Sequence, residues 1–354
     1  MNDIIHIRIR QASIARKNRR SKRIRRLFNI QRNSKCRNIS KIKSSSNTNR
    51  LYQAHVTEVE VKLCEDFRLL FNTESVIKCV HEVIEYVNKR GRYKVFINMS
   101  VMQMADSGAI SLLLAAVNLS TRNNCQVTGN MPINTECKQL IFDYGFFDHV
   151  KLLQTKKIKK NNNKNLLIER GFAKTDNEKI GEEVRKSVEY LTSMKSSYRP
   201  VYSMIQEICA NSIEHANKES HKKNWLFSIS YEENLVKFVV TDIGEGILGT
   251  IKKKLKQTLR DTVTFTNDIE TLIGVFEKRY QSSTFDNNRN KGLPKIKKIN
   301  DYGYIDNLIV LTNNVYLNFN DSSKQLKLRT SFSGTLFYWE LQINNIEKWK
   351  NRMK

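Results

Sequence analysis

The sequence predicts an α/β protein of two units, and three observations carry that prediction. Short β-branched and aromatic runs alternate with helical stripes over residues 51–153, the pattern of a small α/β domain. The alternation returns over residues 171–345, with a hairpin near its centre. At 354 residues and 40% hydrophobic content, the chain can hold about two domains with packed cores. Three prolines and 13 glycines exclude a fibrous or low-complexity chain.

In chain order, residues 1–50 show no sustained apolar period and end in Ser44-Ser-Ser-Asn-Thr-Asn49, a linker-like run. Structure is expected from Leu51. Val76, Val80, Val83, Ile84 and Val87 form a helical stripe over Thr73–Arg90, stopped by Gly91. Tyr93–Asn98 reads as a strand, Gly108–Thr121 as an apolar helix, Cys125–Thr128 as a strand and Thr135–Tyr144 as a helix. The Lys- and Asn-rich stretch within 154–170 reads as a connector. Asp176–Ser193 and Tyr202–Ala216 are helical. Trp225–Tyr231 and Leu235–Asp242 form a hairpin around Glu232-Glu-Asn234. Residues 248–290 are polar, with no clear strand. A helix over Leu293–Asn300 and strands over Leu308–Thr312, Val315–Phe319 and Thr335–Ile343 complete the second unit, and 346–354 reads as a basic tail.

Charge is unevenly spread. Of the net +26, residues 1–50 supply +15, from 16 Lys/Arg against Asp3. Such a segment attracts polyanions by counterion release, so nucleic acid, an anionic membrane or an acidic protein are candidate partners. A solvated arm with no partner, or an Arg-rich transit peptide, accounts for the same composition. No secretory pattern opens the chain. The longest apolar run, Gly108–Leu119, is short of the roughly 20 residues that span a bilayer. Six cysteines occur singly, without a Cys-x-x-Cys pair, which fits a reduced cytoplasmic setting and gives no support to zinc or redox motifs.

Two strings carry the chemistry. In Glu207-Ile-Cys-Ala-Asn211-Ser-Ile-Glu-His215-Ala216, four-residue steps put Glu207, Asn211 and His215 on one helical stripe. Asn211 offers a neutral oxygen to magnesium, which keeps waters and substrate phosphates for its other positions. Glu207, one turn earlier, can orient or deprotonate a nucleophile. An amphipathic helix with a polar edge explains the same residues. In Asp242-Ile-Gly244-Glu-Gly246-Ile247 an aspartate closes a strand and glycines let the backbone approach a ligand; a carboxylate accepts what an adenine amine donates. An ordinary strand-to-loop turn also suits Asp-x-Gly. Downstream, Asn290-Lys291-Gly292-Leu293 opens a helix whose free N–H groups suit phosphate, with Pro294 in its first turn. Ser333-Gly334-Thr335 enters the last strand.

The order and spacing of these four elements resemble the GHKL ATPase superfamily (gyrase, heat-shock-type chaperones, histidine kinases, mismatch-repair proteins). Glu207…Asn211…His215-Ala216 is similar to its N box and Asp242-Ile-Gly-Glu-Gly-Ile247 to its G1 box. Asn290-Lys-Gly-Leu293 is similar to G2, with asparagine for the usual first glycine, and Gly334-Thr335 to the closing Gly-Thr. The resemblance implies a Bergerat-type α/β sandwich over 171–345, ATP with magnesium, and a lid over 248–290. It implies Glu207 as catalytic base, Asn211 as magnesium ligand and Asp242 as adenine anchor. His215, Gly244, Gly246, Ile247, Lys291, Gly292, Leu293 and Thr335 complete the nucleotide site.

Upstream, Val95-Phe-Ile-Asn-Met-Ser100…Ala105-Asp106-Ser107-Gly108-Ala109 is similar to the STAS (anti-sigma-antagonist-like) pattern over 51–153. There a serine such as Ser107 can be phosphorylated by a GHKL serine kinase; a plain helix N-cap explains Asp106-Ser107 as well.

The expected function is an ATP-binding, ATP-hydrolysing switch with a regulatory protein partner. A serine/threonine kinase of the anti-sigma type and a non-catalytic nucleotide-binding scaffold stand as alternatives. A sensor histidine kinase is disfavoured, because His81-Glu82 has no dimerisation hairpin or following proline. A gyrase-like machine is disfavoured because no transducer domain follows the last strand. The partner and oligomeric state, a homodimer included, are not legible.

Overall fold

The structure, a computed structural model, describes residues 56–89, 93–123, 125–144, 146, 166–171, 177–215, 225–258, 267–279 and 292–353. The basic segment 1–50, most of the connector, Asn290, Lys291, parts of the expected lid and the side chain of His215 lie outside that description.

The chain is α/β, as expected. Its elements in order are β1 (Thr57–Lys62), β2 (Asp66–Phe67), α1 (Thr73–Asn88), β3 (Tyr93–Asn98), β4 (Met104–Ala105), α2 (Ser107–Asn123), β5 (Gln126–Gly129) and α3 (Thr135–Asp143). Then come β6 (Leu166–Gly171), α4 (Asn177–Thr192), α5 (Arg199–His215), β7 (Trp225–Glu232), β8 (Leu235–Ile243), α6 (Gly246–Thr258), α7 (Asp268–Phe276), α8 (Gly292–Asp301), β9 (Asp306–Asn318), β10 (Leu326–Leu341) and α9 (Ile343–Met353). Strands β1, β3 and β5 form a parallel sheet in the order β1-β3-β5, and the short β2 and β4 pair with each other. The larger sheet runs β6-β7-β8-β10-β9, antiparallel throughout.

Helices α1 and α2 lie between the two sheets. Their side chains share one core with Val95 and Ile97 of the parallel sheet and with Leu226, Val239, Ile309, Leu336 and Tyr338 of the larger one. This explains the apolar run at Gly108–Leu119. A helix buried on every side has no polar face to display, and Ile110, Leu112, Leu113 and Leu114 are all fully buried. Burying each such side chain contributes about 1.5–3 kcal/mol, so the run is core rather than a membrane segment. No described helix is long and apolar enough to cross a membrane. The opposite face of the larger sheet carries α4, α5, α7 and α8 through Val184, Met204, Ile208, Leu272 and Ile296.

The hairpin forms with Glu233-Asn234 at its tip, Asn234 taking φ 57° as a tight hairpin turn requires. Several expectations need correction. The sequence expectation omits strand β1, although Glu58, Glu60 and Lys62 alternating with Val59 and Val61 are a period-2 strand signal. Residues 166–170, expected to be linker, form most of β6 and pair with β7. The expected lid takes in α7 and all but the first two residues of α6, and Leu248, Leu272 and Phe276 of these helices are core residues. The two strands at 308–312 and 315–319 are one strand, β9, kinked at Asn313 (φ 55°). Residues 346–353 are not a tail but most of α9: Ile346 is buried and Trp349 packs edge-on against Tyr198 at 5.2 Å. Among the cysteines, Cys64 donates from Sγ to Asp66 O at 3.1 Å and Cys79 from Sγ to Lys62 O at 3.7 Å.

Candidate nucleotide site

The site lies where the helix-covered face of the larger sheet meets α5 and α8. Helix α5 opens with Arg199-Pro200, where proline costs no hydrogen bond. It buries Val201, Met204, Ile205, Ile208 and Cys209 on the sheet, which turns Glu207 and Asn211 toward the rim, both half-buried. Lys295 of α8 donates to Glu207 Oε1 at 3.2 Å. The first residue of α8, Gly292, fits only as glycine without adjustment: a Cβ there would stand 2.8 Å from Glu207 Oε2 and 3.6 Å from Asn211 Nδ2. So Glu207, Asn211 and the N-terminus of α8 meet.

The second half of the site is one row across the sheet. Trp225, Asp242, Thr335 and Thr312 are successive register partners on β7, β8, β10 and β9. Partners in antiparallel strands share a face, and the neighbours Phe227, Val240, Phe337 and Val310 put that face toward α5. Asp242 therefore looks at the helix layer. Burial pushes its carboxyl up to about 7, against the hydrogen bonds it receives from Thr335. Cys209, between Glu207 and Asn211 on α5, feels the Asp242 charge, and burial with that charge raises its thiol to about 12.

A hydroxyl relay backs the carboxylate. The Thr335 and Thr312 hydroxyls are 3.3 Å apart, and Ile247 N donates to Thr312 Oγ1 at 2.9 Å. Asn313, held at positive φ, donates from Nδ2 to Glu245 O at 2.9 Å and accepts from Gly249 N at 3.3 Å. It thereby fixes the turn after Asp242 and caps α6. Gly246 sits at φ 75°, where a Cβ would collide with the Asn313 amide. Gly244 donates its N–H to Ser333 O at 3.1 Å, and a Cβ there would meet only ordinary contact. Leu293 and Ile247 are half-buried and pack on the core.

Thr312, Asn313 and Lys295 belong to no motif that the sequence displays. The Asn313-Asn314 break in an apolar run is a visible signal, but it reads as a loop between strands. Lys295 is one of several lysines in its helix.

Ser107 heads α2 and is buried (3% exposed). Asp106 caps that helix, accepting from Ala109 N at 2.7 Å and from Leu70 N at 3.2 Å. No group of three or more His, Cys, Asp or Glu side chains that could hold a metal occurs among the described residues. Magnesium held by one protein oxygen together with phosphates and water needs no such group. Comparison with protein-family models and with curated proteins finds no match to this chain.

Proposed function

We propose that the chain is an ATP-binding switch protein that hydrolyses ATP with magnesium. The observation that carries this reading is the convergence of Glu207, Asn211 and the α8 N-terminus beside the row that holds the half-buried Asp242, from segments far apart in sequence. The row and the helix ends offer complementary chemistry. Asp242 accepts from an amine at the base end. Free N–H groups at the start of α8 attract phosphate oxygens, and Asn211 Oδ1 offers a single oxygen to magnesium. Bound magnesium would neutralise charge on the transferring phosphoryl group. Glu207 would orient and deprotonate the attacking water, once it leaves Lys295. Phosphoryl transfer asks the protein mainly for positioning and charge stabilisation, and both are within reach of these residues.

The Glu207–Lys295 pair favours a second reading, in which nucleotide binds and is not turned over because the carboxylate stays neutralised. A serine kinase acting on Ser107 would need α2 drawn from between the sheets. A regulatory protein partner, a polyanion bound by residues 1–50 and a cytoplasmic setting belong to the same proposal. The test is calorimetric titration of the full chain with magnesium-ATP, together with a measurement of phosphate release. The absence of both binding heat and phosphate release would sink the nucleotide reading. Binding without phosphate release would select the second.

A further inference from the structure

Between its pairing with β9 near Lys327 and its pairing with β8 from Gly334, β10 leaves the regular ladder. Lys327 faces Val315 and the next partnered residue, Phe332, faces Asn313, so Leu328–Ser331 have no register partner on β9. Backbone groups released in this way need other partners. Helix α1 supplies them. The Glu74 carboxylate accepts from Arg329 N and from Thr330 N, each at 3.1 Å. His81, two turns on, bonds Ser331 O through Nδ1 at 2.8 Å. Leu328 and Phe332 anchor the same stretch in the core shared with α1 and α2.

The next residues of β10 enter the nucleotide site. Ser333 O accepts from Gly244 N, Gly334 passes so close to the Asp242 carbonyl that no Cβ fits, and Thr335 bonds Asp242. Residues 329–335 are thus held at one end by α1 and at the other by the Asp242 turn. A carboxylate accepting two backbone N–H groups makes stronger bonds than neutral acceptors do, and a stretch only seven residues long, pinned at both ends, transmits a shift at one end to the other.

We infer that Glu74 is a positioning residue for the Asp242–Thr335 pocket, with His81 in support, so that the N-terminal α/β unit regulates nucleotide affinity through β10. This rests on the nucleotide reading above for its functional consequence, though not for its geometry. The test compares full-length wild type with Glu74→Ala, Glu74→Gln and, as a stability control, Ile141→Val, a core change on α3. Two quantities are measured: magnesium-ATP affinity, and amide hydrogen exchange over 333–336.

Glu74→Ala is expected to weaken magnesium-ATP about 10-fold and to speed exchange at 333–336. Glu74→Gln, which keeps one neutral acceptor, should fall between it and wild type. Ile141→Val should lower the melting temperature and change neither quantity. Affinity and exchange in Glu74→Ala equal to those of Ile141→Val would overturn the inference. If the wild type binds no nucleotide, the functional reading fails by itself and exchange at 333–336 alone decides whether Glu74 positions the pocket.

Discussion

The two ends of the candidate site are built differently. The Asp242 end is made of strands. Asp242, Thr335 and Thr312 stand in register, Asn313 clamps the turn, and Gly334 leaves no room for a side chain. The Glu207 end is made of two helices that meet at Gly292 and one ion pair between partly exposed side chains. The first end is over-determined, so substitution there should change stability and binding together, and by large amounts. The second is lightly held and should respond in turnover with little change in stability.

Gly334→Val tests the rigid end hardest. A side chain there meets the Asp242 backbone and the Phe332 ring, so we expect about 3 kcal/mol or more of lost stability and no measurable nucleotide binding. Urea unfolding and calorimetry read both. A variant with wild-type stability would show that the strands can part at this point, and the rigid end would lose its distinction.

Asp242→Asn comes next. Its folded carboxyl titrates at about 7, above the ordinary value of about 4. The folded protein therefore holds this proton more tightly than the unfolded chain does. Stability falls as pH rises from about 4 to about 7, and the full penalty is present above the folded value. Asp106, also raised by burial, adds a slope of the same sign to both proteins and cancels in their difference. Asparagine removes the Asp242 slope. A rise from about 4 to about 7 corresponds to about 4 kcal/mol at full burial, and partial solvent access at Asp242 reduces this to about 2 kcal/mol. The variant should be more stable than wild type at pH 8, equal to it near pH 4, and weaker for ATP by on the order of 100-fold. Parallel melting curves at the two pH values would refute the burial argument.

How much of this is legible in the sequence divides in the same way. Glu207, Asn211, Asp242 and Gly334 can be read because each belongs to a local pattern, a helical step or a strand-to-turn signal. Their meeting cannot, since it depends on the strand order β8-β10-β9, which local periodicity does not encode. Asn313 misleads because a left-handed asparagine inside a strand looks like a strand end. The apolar run of α2 is visible, but not the second sheet that buries its other side. Strand β1 is legible in the alternation of Val59 and Val61 with Glu58, Glu60 and Lys62, whereas α9 is hidden by its basic surface, although Ile346 and Trp349 are spaced to face the core.

At the lightly held end, Gly292→Ala should have a small effect. The new methyl meets the far end of a flexible side chain, Glu207 Oε2 at 2.8 Å, and Glu207 can move aside. The expected stability change is within about 0.5 kcal/mol, with a several-fold change in the rate of phosphate release. A stability loss matching that of Gly334→Val would erase the contrast between the two ends.

Lys295→Met should cost least. The side chains of Lys295 and Glu207 are 47% and 34% exposed, and ion pairs of that kind contribute about 0–1 kcal/mol, so melting temperature should hardly move. Turnover should change more than stability. If Lys295 neutralises the carboxylate between catalytic cycles, its removal frees Glu207 and raises the rate about 3-fold, equivalent to roughly 0.6 kcal/mol off the barrier. Added salt should raise the wild-type rate toward that of the variant, because screening weakens the exposed pair, and should leave the variant unchanged. A fall in turnover on Lys295→Met would instead assign the lysine to the phosphates. The lightly held end would then be a charge clamp in its own right, and the ion pair with Glu207 only its resting position.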